Sequence, residues 1–215
     1  MTRLRSFALL LALSASASSA FALTIAEGRQ LALGTEVTLE GQVITASGIF
    51  ATSTFDQGFA IDDGSAGIYV SLADNAIVGP YQKVQVTGVL ADDGFGQLIL
   101  KPASLAQVLS LPGFRRERAD NHSTGEIGEA TEGSLVAVMG RVTRIANDIP
   151  YGYKVYIDDG SGEVQIFFAA STGVNPYRLP YIEVGATIEV VGLSSQFEDE
   201  YEVLPRTYSD VRSGL

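Results

Sequence analysis

His122 is the only histidine in the chain, and histidine alone titrates near neutrality without help from its surroundings. It stands among Asn121, Ser123 and Thr124, a run that reads as a solvated loop position. No paired-histidine zinc motif, no G-x-S-x-G and no phosphate-binding glycine loop occurs along the sequence. The absence of cysteine removes thiolate nucleophiles, thiolate metal sites and disulfides together. Carboxylate pairs do occur, at Asp62-Asp63, Asp92-Asp93 and Asp158-Asp159, each followed by glycine. Such oxygens suit hard cations, but their spacing matches no EF-hand loop. Aspartate is also favoured before glycine in a tight turn, where its side chain bonds its own backbone. The reading is a non-enzymatic protein with no cofactor and no metal.

What remains is binding chemistry. Tyr156 and Phe167 lie near Lys154 and Arg141. Aromatic faces beside cations are what single-stranded nucleic acid needs: each base stacks for about 1–3 kcal/mol while the cations meet phosphate. Overall charge opposes that partner, since the chain carries −11 and repels polyanions at long range. Arg115, Arg116 and Arg118 form a local basic group that acts only over about a Debye length, roughly 8–10 Å.

The first 22 residues read as a secretory leader. Arg3 and Arg5 give a basic start, Phe7 to Leu13 an apolar run, and Ala20-Phe21-Ala22 a cleavage pattern. The run is far shorter than the roughly 20 residues that span a bilayer. Loss of Arg3 and Arg5 would take the net charge from −11 to −13. The expectation is an exported protein, periplasmic or extracellular, with no membrane span after cleavage and cores that need no disulfides.

The remainder repeats itself. Gly34 answers Gly133, Gly41 answers Gly140, and Asp62-Asp63-Gly64-Ser65 answers Asp158-Asp159-Gly160-Ser161. Gly88 answers Gly192, and Pro102 answers Pro205. A period this long exceeds any solenoid repeat, so each copy should be a small domain of its own. The divisions read as a leader at 1–22, a first domain at 23–108, a connector with a short helix at 109–132 and a second domain at 133–215. Alternation of period two marks strands throughout: Val37, Leu39, Gly41 and Val43, then Phe59 and Ile61, then Ile68, Val70 and Leu72. Val84, Val86 and Gly88 open a fourth strand, and Leu98 to Leu100 give a fifth. Short helices or turns are expected before each first strand, at 24–32 and 124–131. The fold class is all-β: two tandem five-stranded OB-fold Greek-key barrels, closed by strands that bend at Gly41, Gly140, Gly88 and Gly192.

The strand with V-T-L-E-G-Q-V, the hairpin F-A-I-D-D-G-S-A-G-I-Y-V and the strand V-Q-V-T-G, with their second-copy counterparts, resemble the secreted bacterial OB-fold domains of nucleic-acid-binding type. That resemblance covers residues 34–108 and 133–211. It implies single-stranded DNA or RNA as partner, bound across the outer face of strands 2 and 3, and the chain's negative charge would make that binding weak and salt-sensitive. Parity then sorts the residues. Phe59, Ile61, Ile68, Val70 and Leu72 point inward in copy one, leaving Ala60, Tyr69 and Ser71 outward beside Glu40 and Gln42. In copy two Val155, Ile157, Val164, Ile166 and Phe168 point inward, leaving Lys154, Tyr156, Gln165 and Phe167 outward beside Arg141 and Thr143. The candidate ligand residues are Arg141, Lys154, Tyr156, Gln165 and Phe167, with Tyr69 in copy one and Arg144 and Arg178 as loop contributors. Two other readings stay open: Tyr156 and Phe167 as the cover of an interface between the copies, and another envelope protein as the partner, with the chain as an interaction or scaffold module. A third is an accessory module to a separate extracellular nuclease. The acidic loops Asp92 to Gly96 and Gln196 to Glu202 repel phosphate.

Overall fold

The computed structural model describes residues 23–50, 55–116 and 118–214, so the leader read at 1–22 lies outside the described residues. One short α-helix, α1 (Ile25–Arg29), precedes β1 (Glu36–Val43), β2 (Phe59–Asp62), β3 (Gly67–Val70), β4 (Gln82–Asp92) and β5 (Leu98–Lys101). These strands follow one another in space as β1-β2-β3-β5-β4, and β4 returns to β1, closing the barrel with the OB-fold order. β6 (Val108–Phe114) adds to the outside of β4. In the second copy β7 (Asp120–His122) leads into β8 (Leu135–Asp148), β9 (Gly152–Asp158), β10 (Val164–Ala169), β11 (Thr187–Phe197) and β12 (Glu200–Leu204). The order β8-β9-β10-β12-β11 closes on β8 in the same way, and β13 (Val211–Ser213) lies on β11 as β6 lies on β4.

The inward sets read from alternation form the two cores. Phe59, Ile61, Ile68, Val70 and Leu72 pack with Leu39, Val86 and Leu100. Val155, Ile157, Val164, Ile166 and Phe168 pack with Val138, Val190 and Val203. The bending glycines stand where one strand changes partner. Gln42 pairs with Lys83 on one side and Asp62 on the other, and a Cβ on neighbouring Gly41 would lie 3.1 Å from the Asp62 carbonyl oxygen. Arg141 likewise pairs with both Thr187 and Asp158, directly after Gly140.

Among the described residues, the segment 109–132, expected as a connector with a short helix, carries most of β6, β7 and a single 3-10 turn at Thr124–Glu126. Both copies begin alike: Leu23 bridges Leu39 in parallel, and His122 pairs with Val138 in parallel. A capping box follows each, Thr24 with Glu27 and Ser123 with Glu126. The repeated Asp-Asp-Gly-Ser then does more than turn a hairpin. Asp63 Oδ1 accepts from the Ser65 amide (2.8 Å) and its Oδ2 from the Ile25 amide (2.9 Å), while Ser65 Oγ accepts from Ala26 (3.1 Å). Asp159 and Ser161 hold Thr124 and Gly125 in the same way. The motif therefore staples the leading turn, whose first amides have no partner of their own, onto the barrel.

The barrels pack closely. A Cβ on Gly67 would lie 2.0 Å from the Gly133 carbonyl oxygen, so β3 of one barrel touches the backbone leading into the other. The Gly67 amide donates to Ser134 Oγ at 2.7 Å. Beside it Arg29 pairs with the fully buried Glu132 carboxylate at 3.1 Å, and Glu132 Oε1 also accepts from the Leu98 amide. At the far rim Phe95 and Phe197 stack with centroids 4.9 Å apart, and the Glu198 amide donates to the Phe95 carbonyl at 2.7 Å.

Gly34 and Gly133 separate backbone strain from this packing. Both have positive φ, 87° and 81°, but only Gly133 has a neighbour within reach of a Cβ. Gly34→Ala is expected to lose only the left-handed strain, about 1–2 kcal/mol. Gly133→Ala is expected to lose distinctly more and to split the calorimetric transition as the barrels part. Equal losses in both variants would show that the close approach contributes nothing.

Candidate functional site

The OB ligand face is the outward side of strands two, three and five, and the two copies furnish it differently. In barrel one the positions are Ala60, Tyr69 and Ile99, in register across β2, β3 and β5. All three are buried, because they pack with Leu135, Ala169, Leu193 and Leu204 of barrel two. Tyr69 is 2 % exposed; its hydroxyl donates to the Phe50 carbonyl (2.7 Å) and Asp56 Oδ1 (2.9 Å). Burial, then the Asp56 carboxylate, pushes its phenol well above the usual range.

Barrel two places Tyr156, Gln165 and Glu202 in the matching register. They form a chain: the Tyr156 hydroxyl donates to Gln165 Oε1 at 2.7 Å, and Gln165 Nε2 donates to Glu202 Oε2 at 2.6 Å. Between this chain and barrel one lies a cleft of about 410 Å³. Phe50, Tyr69 and Phe95 line it from the first barrel, and Tyr151, Phe167 and Phe197 from the second. Phe55 and Tyr151 stand at its mouth, 70 % and 58 % exposed, with ring centroids 6.4 Å apart. Its polar lining includes Asp93, Gln97, Asp148, Lys154, Gln165, Ser195 and Glu202.

The residues expected from the sequence are therefore divided. Lys154, Gln165 and Phe167 reach the cleft, as does Tyr69 from the other barrel. Lys154 lies 3.5 Å from the Asp148 carboxylate, and Phe167 packs half-buried against the interdomain cluster. Tyr156 is 7 % exposed, and the Arg144 guanidinium carbon sits 3.2 Å from its ring centroid. Arg144 also pairs with Glu163 at 3.1 Å. A bulge explains this contact: register shifts between Val142 and Arg144, so Arg144, not Thr143, comes opposite Tyr156. Arg141 turns away, its Nε donating to the Gly185 carbonyl at 3.0 Å. Arg178 is exposed in the 3-10 turn Pro176–Arg178 and does not line the cleft. His122 is half-buried in β7.

Sequence reading missed Glu202, Asp148, Tyr151, Phe50 and Phe55. Glu202 alone left a signal: counting back from the Pro102 and Pro205 anchors, it stands where the first copy has Ile99. Burial drives its carboxyl up to about 7, against the downward pull of Gln165 and Lys154. Glu132 at the barrel junction is raised to about 7 as well, burial outweighing Arg29. Among the described residues, no group of three histidine, aspartate or glutamate side chains is placed to hold a metal ion. Nor is any helix long and apolar enough to cross a membrane.

No family model and no curated protein matches the chain. Solved structures similar to it include a murine DNA binding protein bound with double-stranded DNA, at 13 % identity, 83 % of this chain, 96 % of that chain and a TM-score of 0.42. The tetrameric p202 HIN2 is 15 % identical over 85 % of this chain and 95 % of that one, with a TM-score of 0.39. The hypothetical protein ygiW from E. coli is 18 % identical over 44 % and 94 %, with a TM-score of 0.34. What fold and site define is a pair of OB-fold barrels joined face to face, with a cleft between them.

The raised carboxyls set a pH dependence. Between pH ~4.5 and ~7 the folded chain keeps protons on Glu132 and Glu202 that the unfolded chain has released, so stability falls as pH rises through that window. Below it the sign reverses: Asp159 and Glu40 are held low by hydrogen bonds from Ser161 and Lys83, and their contribution is lost as pH falls through those lowered values. The melting temperature is expected to peak near pH 5 and drop by several degrees by pH 8. Glu202→Gln and Glu132→Gln should each flatten the fall between pH 5 and 8; an unchanged slope in both would contradict the burial argument.

Proposed function

We propose that this is a non-catalytic OB-fold binding protein whose ligand is a small organic molecule seated in the cleft between its two barrels. The observation that carries this reading is the burial of the barrel-one ligand face against barrel two, which leaves the cleft as the open part of both faces. A volume of about 410 Å³ falls in the range of small-molecule sites, as does a largely aromatic wall with a few fixed polar groups. The leader-like residues 1–22 and the lack of cysteine support a place of action outside the cytoplasm, periplasmic or extracellular.

Single-stranded nucleic acid is the second reading, favoured by the exposed pair Phe55 and Tyr151, which offers faces on which a base stacks. Charge weighs against it. Lys154 is engaged by Asp148, Arg144 by Glu163, and Arg141 is directed to a backbone carbonyl. The cleft itself presents Asp93, Asp148 and Glu202 against that one lysine. A scaffold role for barrel one's face is disfavoured because barrel two already covers it.

Two titrations separate these readings. The chain has no tryptophan, so the fluorescence of a neutral indole, 3-methylindole, reports its own surroundings. Wild type is expected to bind it with a blue shift, and Tyr151→Ala, altering an exposed wall residue, to weaken it by about threefold to tenfold. A labelled oligothymidine is expected to bind weakly at low salt and not at moderate salt. Tight, salt-sensitive oligothymidine binding lost in Tyr151→Ala would replace the small-molecule reading with the nucleic-acid one. Absence of binding by 3-methylindole and by charged indoles of the same ring would remove the cleft as a site.

A further inference from the structure

The chemistry of the cleft narrows the class of ligand, granted the reading of the cleft as a site. Most of its polar groups already have partners. Asp93 accepts the amides of Phe95 and Gln97, Ser195 donates to Gln97 at 3.0 Å, and Lys154 faces Asp148. Glu202 differs. It is 7 % exposed, its Oε2 takes the Gln165 amide, and no hydrogen bond from the described residues reaches its Oε1. A carboxylate so placed is unfavourable when ionised unless a donor or cation completes it. The flanking strands cannot supply one. Tyr156 on β9 has its hydroxyl on Gln165, Ser195 on β11 is directed to barrel one, and Glu200 and Asp148 add negative charge. Lys154 is the nearest cation, and Asp148 competes for it.

An anionic ligand entering here meets three carboxylates against one lysine. A protonated nitrogen meets an incomplete carboxylate among aromatic rings, whose faces also attract cations. We infer that the cleft selects an organic cation, with a flat apolar group against Phe167 and Tyr151 and a protonated nitrogen donating to Glu202. Such a ligand displaces the proton that Glu202 holds below neutrality, so its binding strengthens as pH rises from 6 to 8. Phosphate esters and carboxylates are excluded by the same groups.

Three indoles of equal ring and different charge test this at low salt: tryptamine, 3-methylindole and indole-3-acetate, each followed by its own fluorescence. At pH 8 tryptamine is expected to bind about tenfold or more tightly than indole-3-acetate, with 3-methylindole between them. In Glu202→Gln, which keeps shape and leaves Gln165 an acceptor, tryptamine should fall about tenfold while 3-methylindole is unchanged. Lowering the pH to 6 should weaken tryptamine in wild type and not in Glu202→Gln. Equal binding of the three, a preference for indole-3-acetate, or wild-type tryptamine affinity in Glu202→Gln would overturn the cation assignment and leave the cleft standing. No binding by any of the three would overturn the cleft as a site, and this inference with it.

Discussion

The structure depends on one apolar face finding its cover. Ala60, Tyr69 and Ile99 lie on the outside of a closed barrel, where an isolated domain would show them to water. A tyrosine alone represents roughly 150–250 Å² of surface, and apolar area is worth about 25 cal/mol per Å² when removed from water. Barrel two supplies the cover with Leu193, Leu204 and Ala169. Sheets approach this closely only if the backbone does too, which is why Gly67 and Gly133 face each other without side chains. The rims are then sealed by specific pairs: Arg29 with Glu132 at one end, Phe95 on Phe197 at the other. The acidic loops, which oppose phosphate in any open-face model, are drawn into this second seal.

Joining the faces has a consequence for binding. The two copies share their inward residues and diverge at the three outward positions: Ala60 against Tyr156, Tyr69 against Gln165, Ile99 against Glu202. Ala60, Ile99 and a tyrosine whose hydroxyl is bonded within its own barrel, to Phe50 and Asp56, pack well on a neighbouring barrel. A tyrosine, an amide and a carboxylate do so poorly, because each polar atom needs a partner when buried. The hydrogen-bonded chain from Tyr156 to Glu202 satisfies most of them internally, and the sheets stand apart there. The cleft is thus the place where the duplication ceased to be apolar on both sides.

Alternation and glycine placement made the barrels legible, since period-two hydrophobicity and a bend in the first strand are local properties of the chain. The leading turns were legible only in part. A short helix or turn over 24–32 is what α1 and the turn after it form, but the role of Asp63 and Asp159 as staples requires knowing what lies beside the hairpin. Parity gave the direction of Lys154, Gln165 and Phe167 correctly because β9 and β10 pair without interruption. It failed for Thr143, where a bulge shifts every later residue by one and brings Arg144, read from the sequence as a loop contributor, opposite Tyr156. The contact between barrels was not legible at all. It is a relation between two surfaces, and Tyr69 looks the same in sequence whether it faces water or Leu204.

Glu132 and Glu202 share a raised carboxyl but not a reason for it. Glu132 accepts from Arg29 and from the Leu98 amide, so the junction of the barrels uses its oxygen as a shared acceptor. Among the described residues, Glu202 takes only the Gln165 amide, which needs an acceptor because it is buried, whereas the first copy has Tyr69 and Ile99 at the matching pair and needs none there. An apolar residue there would remove the raised carboxyl but leave the buried Gln165 amide without its acceptor. One carboxylate oxygen serves the fold through Gln165, and the other is the one available to the proposed ligand. That places the weight of the site on β12, beside the aromatic strand face that sequence alone had singled out.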